Sequence, residues 1–220
     1  ECAMGQSDTT GINNIALGTG SMDELTSGAC NIALGINALG GSTTGSKNIA
    51  IGQLAMGGAD TTGGNNVAIG TTAMDVLTTG TDNVAIGQNA LGVATTGINN
   101  IAIGQTALGA GITTGNNNIA LGSSSMDALT SGACNIALGI NALGAATTGN
   151  NNIAIGNVAM GACLVTGNDN IALGRTTMDA LTTGRYNIGL QFGALGASTT
   201  GCYNIALGYD ALGVGVVTGS

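Results

Sequence analysis

A short unit repeats along almost the whole chain, and this feature constrains the fold more than any other. Each unit opens with Asn, then Ile or Val, then a small residue, then Ile or Leu. The first opening positions are Asn14, Asn31, Asn48 and Asn66, a 17-17-18 pattern that then recurs and so defines a 52-residue block. Such a period is typical of a solenoid, in which each unit buries its apolar side chains only by stacking on its neighbours.

The blocks define the predicted domain organisation. They cover residues 14–65, 66–117, 118–169 and 170–220, after a partial leading unit at residues 1–13. Alternation of apolar residues with small or polar ones at the start of each unit favours a short β-strand. Glycine recurs throughout, which disfavours a helix and suits corners between short strands. We therefore expect an all-β protein: a parallel β-solenoid (a β-roll or β-helix) of about 12 coils, continuous over residues 1–220.

Stacking in register would turn each position of the unit into a column of like residues. The opening asparagines should form a hydrogen-bonded ladder, because stacked side-chain amides can donate and accept along the stack. A second column, of Leu or Met in the middle of each unit, should contribute to the core. The predicted ladder comprises Asn14, Asn31, Asn48, Asn66, Asn83, Asn100, Asn118, Asn135, Asn152, Asn170, Asn187 and Asn204.

The small residue of each strand points away from the two bulky residues beside it. If the bulky pair, such as Ile15 and Leu17, faces the core, a flat strip of small residues is left outside, where another chain could approach closely. This candidate lateral interface comprises Ala16, Ala33, Ala50, Ala68, Ala85, Ala102, Ala120, Ala137, Ala154, Ala172, Gly189 and Ala206. The sequence equally allows these residues to line a tight corner, and it leaves open the opposite assignment, with the bulky pair outward at a subunit interface.

Composition argues against several classes of function. The formal net charge is −8 and there are only three basic residues, so we expect no binding to nucleic acid. No apolar run is long enough to cross a bilayer, so we expect no membrane insertion. The chain has no His, no recurrent pair of carboxylates and no phosphate-binding loop. We therefore predict no enzymatic activity, no metal site and no cofactor.

Cysteine and aspartate occupy special positions in the repeat. No two of the five cysteines lie one unit apart, so stacked disulfides are not expected. We expect the cysteines to be small buried hydrophobic residues, with an inter-chain disulfide through Cys2 as the alternative.

Aspartate follows the Leu/Met column once per block, at Asp23, Asp75, Asp127 and Asp179. This spacing is too wide for a shared metal ion, so we expect solvated corners, with contacts to a neighbouring filament as the alternative.

The two ends of the sequence fall at equivalent points of the block. Residues 1–11 align with residues 53–63, and residues 209–219 have the same phase. Neither end has an atypical polar unit of the kind that covers the open strand edges of a solenoid. The pattern therefore favours head-to-tail polymerisation or a piece of a longer solenoid.

The unit N-[IV]-A-[IL]-G-x-x-A-[LM], followed five or six residues later by [TS]-G, resembles the head repeats of trimeric autotransporter adhesins, most clearly in its opening segment at residues 100–104. It is still more similar to the 17-residue repeats of bacterial surface and phage tail-fibre proteins. The resemblance implies a left-handed parallel β-roll, often trimeric, that binds matrix or cell surfaces. The 52-residue block and the longer coil depart from the adhesin pattern.

Together these observations predict a structural component of an extracellular filament or fibre, with a potential adhesive role. We expect it outside the cell, on a cell surface or in a virion, with copies of itself and an unidentified surface ligand as partners. The alternatives are a phage tail-fibre shaft or receptor-binding segment, and an ice-binding solenoid. Ice binding is disfavoured because adjacent hydroxyls such as Thr43 and Thr44 point to opposite faces, which leaves one exposed column where two are wanted.

Overall fold

A computed structural model describes residues 10–214 as an all-β chain with twelve strands of three residues each and, in that range, no helix that could span a membrane. The strands are β1 (Ile15–Leu17), β2 (Ile32–Leu34), β3 (Ile49–Ile51), β4 (Val67–Ile69), β5 (Val84–Ile86), β6 (Ile101–Ile103), β7 (Ile119–Leu121), β8 (Ile136–Leu138), β9 (Ile153–Ile155), β10 (Ile171–Leu173), β11 (Ile188–Leu190) and β12 (Ile205–Leu207). Each begins directly after a repeat Asn, which confirms where the sequence places the strands.

The chain divides into two compact units, one extending to Thr114 and the other beginning at Gly115. The first contains β1–β6 and the second β7–β12. Within each unit successive strands pair in parallel with equivalent residues side by side, as Ala33 with Ala50 and Ala137 with Ala154. The predicted parallel β-solenoid with in-register stacking is thus confirmed, whereas one continuous domain over residues 1–220 stays a prediction.

The repeat phases that favour head-to-tail polymerisation lie largely in residues 1–9 and 215–220, outside the described residues. Cys2, the predicted inter-chain disulfide partner, also lies outside them. These predictions therefore stay predictions.

The interior is narrow, and each coil from that of β1 to that of β11 fills it with one large buried side chain opposite the strand. The Leu/Met column supplies that side chain, and Met56 and Leu108 are fully buried. The small residue of each strand packs beside it, as Ala50 and Ala102 do. One coil of each block adds a second large side chain, from Leu25, Leu77, Leu129 and Leu181 in turn.

The strands point their bulky residues outward and their small residue inward. In β5, Ile86 is 37% exposed whereas the neighbouring Ala85 is fully buried. A lateral interface through the small residues is therefore wrong, because a coil already filled by the Leu/Met side chain has room only for a methyl group on the strand side. Ala16 is half-buried, and the remaining members of that set are buried: Ala33, Ala50, Ala68, Ala85, Ala102, Ala120, Ala137, Ala154, Ala172, Gly189 and Ala206.

Gly189 replaces the buried Ala in β11, and the reason is steric. A Cβ atom on Gly189 would lie 2.8 Å from Cγ2 of Thr177 and 3.1 Å from Cε of Met178. Other coils carry Ala or Ser at the position of Thr177. The Thr177 hydroxyl also donates a hydrogen bond to the carbonyl of Gln191, at 2.6 Å. The extra methyl group of Thr177 thus takes the space that the Ala methyl group occupies in other coils.

Each coil turns through left-handed residues that are not glycine. The residue before each ladder Asn has φ near 60°, as in Asn65 and Asp82. The Leu/Met column is also left-handed, with φ of 50° at Met56 and 49° at Leu91. This conformation costs roughly 1–2 kcal/mol for a residue with a Cβ atom. Burial and coil-to-coil hydrogen bonds, such as the 3.0 Å bond from Met56 N to Ala73 O, must offset that cost.

Candidate functional site

The opening asparagines form a hydrogen-bonded ladder within each unit. Oδ1 of one Asn accepts a bond from the backbone N–H of the next, at 2.8 Å between Asn31 and Asn48 and at 3.0 Å between Asn152 and Asn170. The same oxygen can also accept from the next side-chain amide, as Asn152 does from Asn170 at 3.0 Å. The side chain of each rung therefore holds the backbone of its neighbour in register.

Each ladder side chain also ties its strand to the glycine corner that closes its own coil. Nδ2 of Asn31 donates to the carbonyl of Gly45 at 2.8 Å, and Nδ2 of Asn152 donates to that of Gly167 at 2.9 Å. Ladder residues between the end rungs are buried, so these bonds satisfy polar atoms that have no access to water. The ladder is a structural device that leaves little of its amides free for a ligand.

The outward face of the strands is an exposed apolar surface, which we call the outer strip. Its side chains are half-buried or exposed, and no charged residue belongs to it. In the first unit it comprises Ile15, Leu17, Ile32, Leu34, Ile49, Ile51, Val67, Ile69, Val84, Ile86, Ile101 and Ile103. In the second unit it comprises Ile119, Leu121, Ile136, Leu138, Ile153, Ile155, Ile171, Leu173, Ile188, Leu190, Ile205 and Leu207. The bulky pair therefore points outward, which is the opposite assignment of the strand faces that the sequence left open.

The aspartates that recur once per block are less solvated than the sequence predicts. Asp75 packs over Gly58 of the preceding coil. A Cβ atom built on Gly58 would lie 2.7 Å from Oδ1 of Asp75. That Oδ1 is buried, and in the described residues it has no hydrogen-bond partner. Burial raises the pKa of Asp75, opposed by a smaller effect of a hydrogen bond with the Gly58 backbone. Burial raises the pKa of Asp179 in the same way.

We expect Asp75→Asn to raise the thermal unfolding midpoint at pH 7. A carboxyl whose pKa is raised by folding contributes stability below its unfolded pKa, about 3.9, and that stability is lost as the pH rises through the folded pKa. The rise in the midpoint caused by Asp75→Asn should therefore shrink as the pH is lowered toward 3.

Asp60→Asn is the control, because it removes the same charge from a different setting. Asp60 accepts hydrogen bonds from N and Oγ1 of Thr43, at 2.9 and 2.8 Å. This substitution should lower the midpoint, and an equal rise in both variants would contradict the desolvation argument.

The four cysteines within residues 10–214 are not the small buried hydrophobes that the sequence predicts. Cys30 and Cys134 are exposed, Cys163 and Cys202 are half-buried, and all four are free thiols. Cys30 and Cys134 occupy the left-handed position before a ladder Asn, with φ of 61° and 60°, which directs the thiol away from the core. Their exposure makes Cys30 and Cys134 further candidates for an inter-chain disulfide.

An open groove in the first unit has an acidic lining. Asp23, Glu24 and Asp60 line it together with Asn37 and several glycines. Within residues 10–214, no group of three or more His, Cys, Asp or Glu side chains is arranged to hold a metal ion. The groove is therefore acidic surface without a metal-binding arrangement.

All four aromatic residues of the chain lie in the coils of β11 and β12, where they form two stacks. The rings of Tyr186 and Tyr203 are 5.0 Å apart and inclined by 15°. Those of Phe192 and Tyr209 are 5.1 Å apart and inclined by 17°, and the Arg175 guanidinium carbon lies 4.6 Å from the Phe192 centroid. The two members of each pair lie one repeat unit apart, and this spacing is the signal by which the sequence could have indicated both stacks.

Comparison with known proteins gives no match: no family model, no curated protein and no solved structure is significantly similar to this chain. What is shown is a parallel β-solenoid in which consecutive repeat units of the sequence pair side by side, as Ile15 pairs with Ile32. The resemblance to adhesin heads and tail fibres stays a hypothesis.

Proposed function

We propose that this chain is a structural segment of a filament or fibre outside the cell, on a cell surface or in a virion. In this proposal copies of the chain associate laterally through the outer strip. The observation that carries the proposal is the outward direction of the Ile, Leu and Val side chains in the strands of both units. No catalytic step and no cofactor is part of the proposed function.

The outer strip has the chemistry of an interface between protein subunits. Each rung adds two branched apolar side chains directly beside those of the next rung, as Ile49 and Ile51 lie beside Val67 and Ile69. In each unit the strip is a row of twelve branched apolar side chains that are all half-buried or exposed, and each partner of a standard interface buries ~800 Å² over a comparable row of residues. Patches of this size on soluble proteins mark interaction surfaces.

A second copy of the chain is the partner that the strip fits best. Two flat sheets of branched side chains can interdigitate face to face, at a spacing of about 10 Å between sheets. Copies related by rotational symmetry would all present the same strip, and a closed ring such as a trimer would remove it from water. The trimer that the adhesin resemblance implies is thus compatible with the strip, and an adhesive role belongs to the same proposal.

End-to-end stacking is the second route of assembly in this proposal. Every rung uses the same backbone donors and acceptors, such as the N–H of Ile32 and the carbonyl of Asn48, which lie 2.8 Å apart. The unpaired backbone groups of a rung at the end of a solenoid could therefore form the same hydrogen bonds with a rung of another copy. Lateral and end-to-end contacts together would give a fibre rather than a closed oligomer.

Ile86→Lys tests the lateral contact, and Ile112→Lys is its matched control. Ile86 lies in the outer strip and is 37% exposed, while Ile112 is more exposed, at 62%, but lies outside the strip. Burying an unpaired ammonium in an apolar interface should weaken self-association by about 30-fold or more, equivalent to at least ~2 kcal/mol. Sedimentation equilibrium of the wild type and both variants measures this. A monomeric wild type, or equal weakening by both substitutions, would contradict the proposal.

The alternative of ice binding draws on an exposed hydroxyl column before the glycine corners, which includes Thr79 and Thr183. The hydroxyls one residue earlier are less accessible and bind the next coil: Thr78 donates to the Thr95 carbonyl and Thr182 to that of Thr199, both at 2.9 Å. One exposed column is a poor template for an ice plane, which favours the fibre proposal. We expect no thermal hysteresis from the soluble protein, and a clear positive would replace the fibre proposal with ice binding.

A further inference from the structure

We propose that Tyr186 and Tyr203 form an oxidative cross-linking site, at which a peroxidase and hydrogen peroxide couple the two phenols to dityrosine. The product would join the coil of β11 covalently to the coil of β12. This site is independent of the outer strip and of the proposed lateral assembly.

The stacked geometry brings the two phenols together and keeps them accessible. Their ring centroids are 5.0 Å apart, and the side chains are 45% and 67% exposed. Both residues precede a ladder Asn and have the same left-handed backbone, with φ of 59°. The N–H of Tyr203 also donates to the carbonyl of Arg185 at 3.1 Å, which fixes the register of the two coils beside the rings.

The coupling is balanced by one molecule of hydrogen peroxide. The oxidised peroxidase removes one electron and one proton from each phenol, and the two phenoxyl radicals combine through the ring carbons ortho to the oxygens. Each coupled carbon then returns its hydrogen to the phenol oxygen as the ring regains aromaticity. The pair has lost two hydrogen atoms in total, and the peroxide has been reduced to two molecules of water.

The repeat geometry explains why tyrosine rather than cysteine would link coils here. A cross-link between neighbouring coils needs like residues one unit apart, and no two cysteines of the chain have that spacing. Tyr186 and Tyr203 have it, and their column faces solvent rather than the core. A covalent bond between them would prevent the coil of β12 from separating from that of β11 when the two coils open locally.

The second aromatic stack provides a control within the same chain. Tyr209 packs on Phe192 at nearly the same ring distance, 5.1 Å, and is 71% exposed. Phenylalanine has no phenol to oxidise, so this stack cannot give dityrosine. The chain has only these three tyrosines, so every candidate pair can be tested by single substitutions.

The full chain is treated with horseradish-type haem peroxidase and hydrogen peroxide at low protein concentration, with wild type compared with Y186F, Y203F and Y209F. After disulfides are reduced, we expect dityrosine fluorescence in wild type, a chain mass lower by two hydrogens, and no covalent dimer on a reducing denaturing gel. Y186F and Y203F should reduce the fluorescence at least tenfold, whereas Y209F should retain it. Phenylalanine preserves the stacked ring, and the unfolding midpoint of each untreated variant checks that the fold is retained.

Mass spectrometry places the bond. Trypsin cleaves after Arg185 and releases residues 186–220, which contain all three tyrosines. In the cross-linked peptide, backbone cleavage between Tyr186 and Tyr203 should give no separated fragments. The cross-link should also raise the thermal midpoint of the treated wild type relative to treated Y186F. Absence of dityrosine in wild type, its persistence in Y186F or Y203F, or its formation only in covalent dimers would overturn the proposal.

Discussion

Gly87→Ala should lower the free energy of unfolding by about 3–5 kcal/mol, the combined cost of a strained backbone and an overpacked contact. Gly87 has φ of 135°, and a Cβ atom there would lie 2.5 Å from the carbonyl oxygen of Gly104 in the next coil. That oxygen and its carbon belong to the backbone of a stacked rung, so they cannot move away as a flexible side chain would. Urea unfolding followed by circular dichroism measures the loss.

Gly208→Ala is the matched control for that prediction. Gly208 occupies the same column with φ of 120°, but within the described residues no atom lies within 4 Å of a Cβ built there. This substitution should cost only the backbone strain, about 1–3 kcal/mol, without the overpacked contact. The difference between the two variants isolates the coil-to-coil contact, and equal losses would show that stacking does not limit the glycine column.

Gln191 shows how this column accommodates a side chain. It replaces the column glycine after β11, and its φ is 88° rather than the 139° of Gly174. Two other positions in the same region also depart from the repeat, with Gly189 in place of Ala and Thr177 in place of Ala or Ser. The Thr177 hydroxyl donates a hydrogen bond to the Gln191 carbonyl, which links these changes to the altered backbone at Gln191. A side chain here therefore goes together with substitutions in neighbouring residues, which Gly87→Ala alone does not supply.

Asn152→Ala should destabilise the protein by a similar amount, about 3–5 kcal/mol. The substitution removes the acceptor of two hydrogen bonds from Asn170 and the donor to the Gly167 carbonyl. The groups left behind are buried, so water cannot replace the lost partners. Urea unfolding and amide hydrogen exchange at Asn170 both measure the effect, and the exchange should accelerate most at that amide.

Asn157→Ala tests whether the effect belongs to the ladder rather than to asparagine in general. Asn157 lies five residues further along the same coil and its side chain is exposed. Its substitution should change stability by no more than about 0.5 kcal/mol. A loss at Asn157 equal to that at Asn152, or no loss at either, would contradict a structural role for the ladder.

The strand positions and the Asn ladder could be predicted because each depends on a single repeated position. Asn152 follows Asn135 by one repeat unit, and any fold that stacks the repeat must place these two residues side by side. The Leu/Met column could be predicted for the same reason, and its buried state follows from its composition.

The direction of the strand faces could not be predicted by the rule that bulky apolar residues lie inside. Both faces of a strand such as IAI at β6 are apolar, so alternation alone does not choose between them. The decisive fact is the space left inside a coil by Leu108 and its equivalents, which only a three-dimensional arrangement specifies. The strict preference for Ala or Gly beside the variable Ile, Leu and Val was the available signal, since tight interior packing restricts side-chain size more than a half-exposed surface does.

The left-handed backbone of the Leu/Met column had no signal in the sequence. Leucine and methionine have no preference for positive φ, and it is the closure of a short coil that imposes 49° on Leu91. The departure of Asp75 from a solvated corner has a similar origin, because its desolvation comes from the preceding coil and not from its sequence neighbours.

The most direct test of the account is whether consecutive repeat units are hydrogen-bonded neighbours. Nuclear magnetic resonance can detect scalar couplings across individual hydrogen bonds in the isotopically labelled protein. The account predicts such couplings from the amide of Ile32 to the carbonyl of Asn48 and from that of Val84 to the carbonyl of Asn100, which lie 2.8 and 2.9 Å apart. Couplings between residues four apart in sequence, or none from these amides to the next repeat, would contradict it.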